Sequence, residues 1–169
     1  LLTFDLAGQY VAFFNSLKNI FTGDISIFYS FSKTLGGNMF GLVTYYLLSP
    51  FNLIFMLFDK INITEAILVI NLLKIGACGL TSYIYFNKTF KDKTMVPVVF
   101  SIVYALCAYN IVYSQNLLWL DGVILLPLIY LGLDKLIESE KPMLFYTTLT
   151  LAIIINYYMR MIILHCLKR

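Results

Sequence analysis

The sequence predicts an all-α, polytopic bundle of transmembrane helices, preceded by an outer loop of interfacial or re-entrant helices. Three observations carry that prediction. Hydrophobic residues make up 60% of the 169-residue chain and charged residues 12%, with a mean hydropathy of +0.84. That is more apolar surface than a water-soluble core of this length can hide. The apolar residues run in segments of about 20 residues, enough to cross about 30 Å of hydrocarbon as helix. Short charged connections separate those segments. No soluble domain remains: 1–62 reads as an outer loop with surface helices, and 63–169 as about four transmembrane helices of one partial membrane domain.

In chain order, residues 6–21 place Val11, Phe14, Leu17 and Phe21 at helical spacing opposite Gln9, Asn15, Lys18 and Asn19. This pattern suits an amphipathic helix lying along the membrane surface. Thr22-Gly23-Asp24 breaks it, and a polar stretch bearing glycine follows at 32–38. Residues 39–58 are apolar but interrupted by Ser49-Pro50-Phe51-Asn52. Pro50 removes a helical hydrogen bond and restricts Ser49, so two short interfacial or re-entrant helices are expected. A kinked spanning helix over 40–58 is the alternative, and it would reverse the side on which 1–38 lie. The clear spans are 63–86, 95–114, 117–137 and 143 to about 164. No internal repeat or low-complexity tract stands out. The chain opens without Met and closes on Cys166-Leu167-Lys168-Arg169 just after an apolar run, so both ends read as cut.

The net charge of +3 is small and its basic residues are dispersed, which argues against a nucleic-acid partner and against a polybasic lipid-binding tract. Lys88, Lys91 and Lys93 cluster after the first clear span, and Lys135 and Lys141 flank the turn after the third, whereas 109–121 hold no Lys or Arg. The positive-inside rule then places 87–94 and 138–142 in the cytoplasm, with 1–62 and 110–121 facing outward. Aromatic residues at segment ends, including Tyr45-Tyr46, Tyr109, Tyr113, Trp119 and Tyr157-Tyr158, fit an interfacial belt. Cys78, Cys107 and Cys166 lack Cys-x-x-Cys spacing and read as small buried hydrophobes. His165 has no partner at metal-ligand spacing.

Few residues could carry chemistry. Asp5, at the start of the surface helix, reads either as an N-cap or as a general base for an acceptor hydroxyl. Asp121, in Trp119-Leu120-Asp121-Gly122 at the outer mouth of a span, reads as an N-cap or as a second acidic site facing Asp5 across one cavity. Lys74 sits mid-span, where an ionisable group is expensive and normally turns to the bundle interior. It reads as a partner of Asp121 or as a positive charge for a lipid phosphate. Gly36, Gly37 and Asn38 form a turn flexible enough to offer backbone N–H groups to that phosphate, without a P-loop ending. Asn156-Tyr157-Tyr158 could meet a sugar by stacking and hydrogen bonding, or simply anchor at the interface. Gly76 and Gly79 offer close helix packing.

The ordered pieces Asp5-Leu6-Ala7-Gly8-Gln9-Tyr10, Phe28-Tyr29-Ser30, Leu35-Gly36-Gly37-Asn38, Tyr45-Tyr46-Leu47-Leu48-Ser49-Pro50 and Leu73-Lys74-Ile75-Gly76 resemble the bacterial YfhO-like multispanning membrane family. So do Tyr104-Ala105-Leu106, Asn116-Leu117-Leu118-Trp119-Leu120-Asp121 and Asn156-Tyr157-Tyr158-Met159. The resemblance implies a GT-C type glycosyltransferase of the bacterial plasma membrane, with its active site facing outward. Such an enzyme takes sugar from a polyprenyl-phosphate donor and passes it to a cell-surface polymer such as lipoteichoic acid. Asp5 then occupies the place of the acidic catalytic residue in the first outer loop. No cofactor is certain; a divalent metal ion is left open. The resemblance spans 5–159 and fades after Met159, and family members run far longer. The chain therefore resembles an N-terminal part that is expected to be inactive alone. The competing expectations are a transporter or lipid flippase, in which Lys74 and Asp121 form a gated pair, and a noncatalytic membrane scaffold.

Overall fold

A π-helical turn at Leu6–Tyr10 feeds α1, Val11–Phe21, in the computed structural model, which describes residues 6–31, 36–90, 95–139 and 142–155. The helix ends where the sequence says it should. Gly23 adopts φ 84°, its N–H donates to Ile20 O and the Asp24 N–H reaches back to Asn19 O. These are the two bonds of a Schellman stop, and they need a residue free to take positive φ. The buried face is Leu6, Tyr10, Phe14 and Leu17. Phe21, assigned to the same face by periodicity, is 56% exposed because the helix ends there, one turn beyond Leu17.

A small hairpin interrupts the helices of the described residues. Strand β1 (Tyr29–Ser30) pairs antiparallel with β2 (Gly37–Asn38), Tyr29 opposite Asn38 and Ser30 opposite Gly37. Gly36, at φ 95°, leads into β2, and a Cβ there would run into the Tyr29 ring. The Asn38 side-chain oxygen then accepts the Gly41 N–H as the next helix begins.

That helix, α2 (Phe40–Leu42), continues as a π-helical turn, Val43–Leu47, and stops. Ser49 is extended (φ −60°, ψ 130°), the conformation that a following proline imposes, and a 3-10 helix, Pro50–Leu57, departs in a new direction. The two halves meet at 102°, so residues 40–57 are two short helices, as Pro50 requires. The pair also covers α1. Phe14 stacks on Phe55 with ring centroids 3.6 Å apart, and Tyr10 meets Tyr46 edge-on at 5.6 Å. Lys18 donates to Phe58 O. The apolar face of α1 is thus buried against protein; the surface-lying helix expected from its periodicity has found a partner other than lipid.

A 3-10 turn, Lys60–Asn62, leads into α3, Ile63–Thr89. Next come α4 (Val96–Ala105), α5 (Ala108–Val112) and a 3-10 turn, Tyr113–Gln115, then α6 (Leu117–Ser139) and α7 (Met143–Ile155). Among the described residues, three segments are long and apolar enough to cross a membrane: Ile63–Thr89, Val96–Gln115 and Leu117–Ser139. The span expected at 95–114 is not one straight helix, because it breaks after Ala105. The span expected at 143 to about 164 is described as Met143–Ile155, and its remainder lies outside the described residues. Helix α3 packs against α4, α6 and the 3-10 helix Pro50–Leu57, while α6 packs against α7.

Glycine sets two of these approaches. A Cβ on Gly132 would lie 2.7 Å from the backbone of Phe145, so α6 and α7 meet main chain to main chain. At Gly79 a Cβ would lie 3.5 Å from that of Ala105, an ordinary contact across α3 and α4. Gly76, expected to share that role, faces open space. Gly132→Leu should therefore lower the thermal unfolding midpoint of the detergent-solubilised protein, overpacking of this kind costing about 1–3 kcal/mol. Gly76→Leu should leave the midpoint near the parental value, and equal losses would refute the close approach.

Candidate functional site

Lys74 begins as an energetic problem. It lies in the middle of α3 and is fully buried, in a setting where a lone ammonium is expensive. The neighbouring helix solves it. Leu117 and Asp121 stand one turn apart on α6 and share a face. Lys74 Nζ donates to Leu117 O at 2.7 Å and to Asp121 Oδ2 at 2.8 Å. The Phe51 ring centroid lies 5.7 Å from the same nitrogen, within reach of a cation–π contact. The other carboxylate oxygen, Asp121 Oδ1, accepts the Ser49 hydroxyl at 2.9 Å. Ser49 is the residue at the bend of the 40–57 pair. One buried carboxylate thus ties α3, α6 and the helix break together.

Asp121 is not an N-cap, since α6 starts at Leu117 and the carboxylate projects from inside the helix. Its pairing with Lys74 is the arrangement that the sequence offered as one of two roles for that lysine. The lipid-phosphate role would require the ammonium to leave Asp121. Gly36 precedes the return strand of the hairpin, and Gly37 and Asn38 form it, with the Asn38 oxygen already accepting from Gly41. Asp5, Asn156, Tyr157 and Tyr158 lie outside the described residues. Among the described residues, no group of three or more His, Cys, Asp and Glu comes together as a metal-ligand set.

Sequence reasoning did not foresee the groove on another side of α3. A hollow of about 380 Å³ opens between α3 and the end of the Val96–Gln115 segment. Leu6, Leu68, Leu72, Ile75, Ile111 and Val112 form apolar walls, and Asn71, Ser114 and Gln115 contribute polar groups. Asn71 Oδ1 is buried with no hydrogen-bond partner among the described residues. Aliphatic walls with a few polar groups suit an amphiphile. Lys74 follows Asn71 and precedes Ile75 in the same helix yet faces α6, so groove and ion pair occupy different sides of α3. A second, more open hollow of about 520 Å³ lies between α1 and α2, lined by Gln9, Phe13, Gly41, Leu42, Tyr45 and Tyr46. The π-helical turn Leu6–Tyr10 contributes to both, with Leu6 in one wall and Gln9 in the other.

Lys74→Met should destabilise the protein by about 3–5 kcal/mol, because Asp121 is left as an uncompensated buried charge. The double variant Lys74→Met/Asp121→Leu should recover much of that loss. A double-mutant cycle on thermal or denaturant unfolding reads the coupling, and additive losses would show that the pair does not tie α3 to α6.

The sequence pattern of a family described as bacterial membrane protein YfhO matches residues 1–165. No curated protein and no solved structure matches the chain.

Proposed function

Because the chain belongs to the YfhO family of bacterial membrane proteins, we propose that it is the outward-facing N-terminal part of a GT-C type glycosyltransferase. On this reading the donor is a polyprenyl-phosphate sugar and the acceptor a cell-surface polymer such as lipoteichoic acid. The observation that carries it is the groove along α3. Its walls suit an isoprenoid chain, its polar groups suit a headgroup, and Leu6 in its wall is the chain neighbour of Asp5. The hollow between α1 and α2 offers Tyr45, Tyr46, Phe13 and Gln9, aromatic faces and an amide of the sort that hold a sugar.

The chemistry assigned to Asp5 is general-base catalysis. Its carboxylate takes the proton of an acceptor hydroxyl, that oxygen bonds to the anomeric carbon, and the bond to the polyprenyl phosphate breaks as the phosphate leaves. Direct displacement inverts the sugar. Binding both substrates beside one carboxylate would add proximity to the general-base effect.

Asp5→Asn in the intact protein keeps size and removes charge, so membrane abundance should survive while transfer falls about 10²- to 10⁴-fold. The measurement is labelled sugar passed from a polyprenyl-phosphate donor to surface polymer. Parental transfer at equal abundance would leave Asp5 a helix cap. Ser114→Trp, filling the groove, should abolish photocrosslinking by a diazirine-bearing polyprenyl phosphate; undiminished crosslinking would move the donor elsewhere. A cysteine at residue 24 should react with a membrane-impermeant thiol reagent from outside the cell, and labelling from the cytoplasmic side alone would put Asp5 on the wrong face.

A transporter or lipid flippase is the second reading, favoured by the buried Lys74–Asp121 pair. Lys74→Met/Asp121→Leu separates the two: a flippase would lose lipid translocation in proteoliposomes, whereas an enzyme would keep transfer in proportion to its folded fraction.

A further inference from the structure

Residues 46–55 read Tyr-Leu-Leu-Ser-Pro-Phe-Asn-Leu-Ile-Phe, and residues 104–113 read Tyr-Ala-Leu-Cys-Ala-Tyr-Asn-Ile-Val-Tyr. Tyrosine, leucine and asparagine recur in place, Ser faces Cys, aromatic faces aromatic, and aliphatic faces aliphatic. The backbone repeats as well. Leu48 (φ −72°, ψ −8°) and Leu106 (φ −101°, ψ 18°) end one helix, and Ser49 (φ −60°, ψ 130°) and Cys107 (φ −62°, ψ 154°) are extended before the next. Each asparagine then bonds six residues back. Asn52 Nδ2 donates to Tyr46 O at 3.3 Å, and Asn110 Nδ2 donates to Tyr104 O at 2.9 Å and Ala105 O at 3.1 Å. The two asparagines are 2% and 0% exposed.

We propose that residues 40–89 and 96–139 are two copies of one unit, a helix broken at a buried asparagine followed by a long spanning helix. The directions of the spans agree. Lys74 meets Asp121, and further along both helices Tyr85 meets Tyr130. Helices α3 and α6 therefore run the same way, as tandem copies in one orientation require. Both breaks also seat on the same stretch of α6, Ser49 on the Asp121 carboxylate and the Tyr104 hydroxyl on Val123 O at 2.8 Å.

The asparagine has a physical task in this unit. A break frees the carbonyls of the last helical turn, and within a membrane no solvent satisfies them. The amide N–H groups of Asn52 and Asn110 supply the missing donors. Proline is not the shared determinant, since the second copy breaks with Ala108 where the first has Pro50. The halves of the first copy diverge by 102°, while the second qualifies as one crossing segment; the same brace serves both angles. The repeat escapes a sequence scan because only three of its ten positions are identical.

The test is exchange between copies in the full chain, read by thermal unfolding in detergent. Cys107→Ser/Ala108→Pro/Tyr109→Phe writes the first break into the second, leaving Ala105 in contact with α3. Its midpoint should stay within about 2 °C of the parent, whereas Leu106→Pro, which removes the N–H bonded to Ile102 O, should lower it clearly. Asn52→Ala and Asn110→Ala should each lower the midpoint by about 4–8 °C. The proposal is overturned if the triple variant falls as far as Leu106→Pro or fails to accumulate, or if either asparagine can be replaced without loss.

Discussion

A charge that cannot stay alone organises this protein. Lys74 is buried at the middle of a spanning helix, and its ammonium must find a carboxylate, a carbonyl or a ring within reach. It takes all three, Asp121, Leu117 O and Phe51. Such a pair need not be more stable than two apolar side chains in its place. What it adds is a fixed register, because sliding α3 along α6 would part the ammonium from Asp121 and Leu117 O. Ser49 extends that register to the bend of the 40–57 pair, so the least regular part of the chain is located by the most buried charge.

Placement then passes outward by packing. The bent pair presents Phe55 and Tyr46 to α1, whose Phe14 and Tyr10 fill the contact. The buried cluster runs without interruption from Leu6 through Phe55 and Ile67 to Leu117. A segment that would otherwise drift on the membrane surface is held against the bundle, with Leu6 in the wall of the groove. The role proposed for Asp5 depends on this chain of contacts, since a general base acts only within hydrogen-bond reach of its substrate.

Much of the architecture was legible because it rests on local chemistry. The apolar runs gave α3 and α6, Gly23 gave the stop of α1, and Pro50 gave the bend. The partnership of Lys74 and Asp121 was readable in outline, since a lysine in mid-span needs an anion and Asp121 offered one at a span's mouth. What stayed hidden depends on distant residues meeting. Periodicity marks Phe14 as apolar but cannot say that Phe55 covers it. Gly132 and Gly76 look alike in sequence, yet only Gly132 faces another backbone. The break at Leu106–Cys107 has no proline to announce it. Its signal was Asn110, a buried amide in an apolar run, legible only beside Asn52. The groove had no signal at all, because its walls come from α3, from the end of a broken span and from Leu6.

The polar groups inside the bundle divide by how well they are satisfied, and the division separates scaffold from site. Lys74 and both carboxylate oxygens of Asp121 have partners at bonding distance, so bringing a ligand there means trading a good interaction for another. Asn52 and Asn110 spend their amide N–H groups on carbonyls of their own breaks, and their oxygens are enclosed. Asn71 differs from both. Among the described residues its oxygen is buried without a partner, as theirs are, but the residue lines an open groove. An unsatisfied buried acceptor costs about 1–3 kcal/mol, a cost that a donor in the groove would remove if the Asn71 amide turned to meet it. On the proposed reading, a headgroup hydroxyl is that donor, and the aliphatic walls lie alongside the chain that brings it.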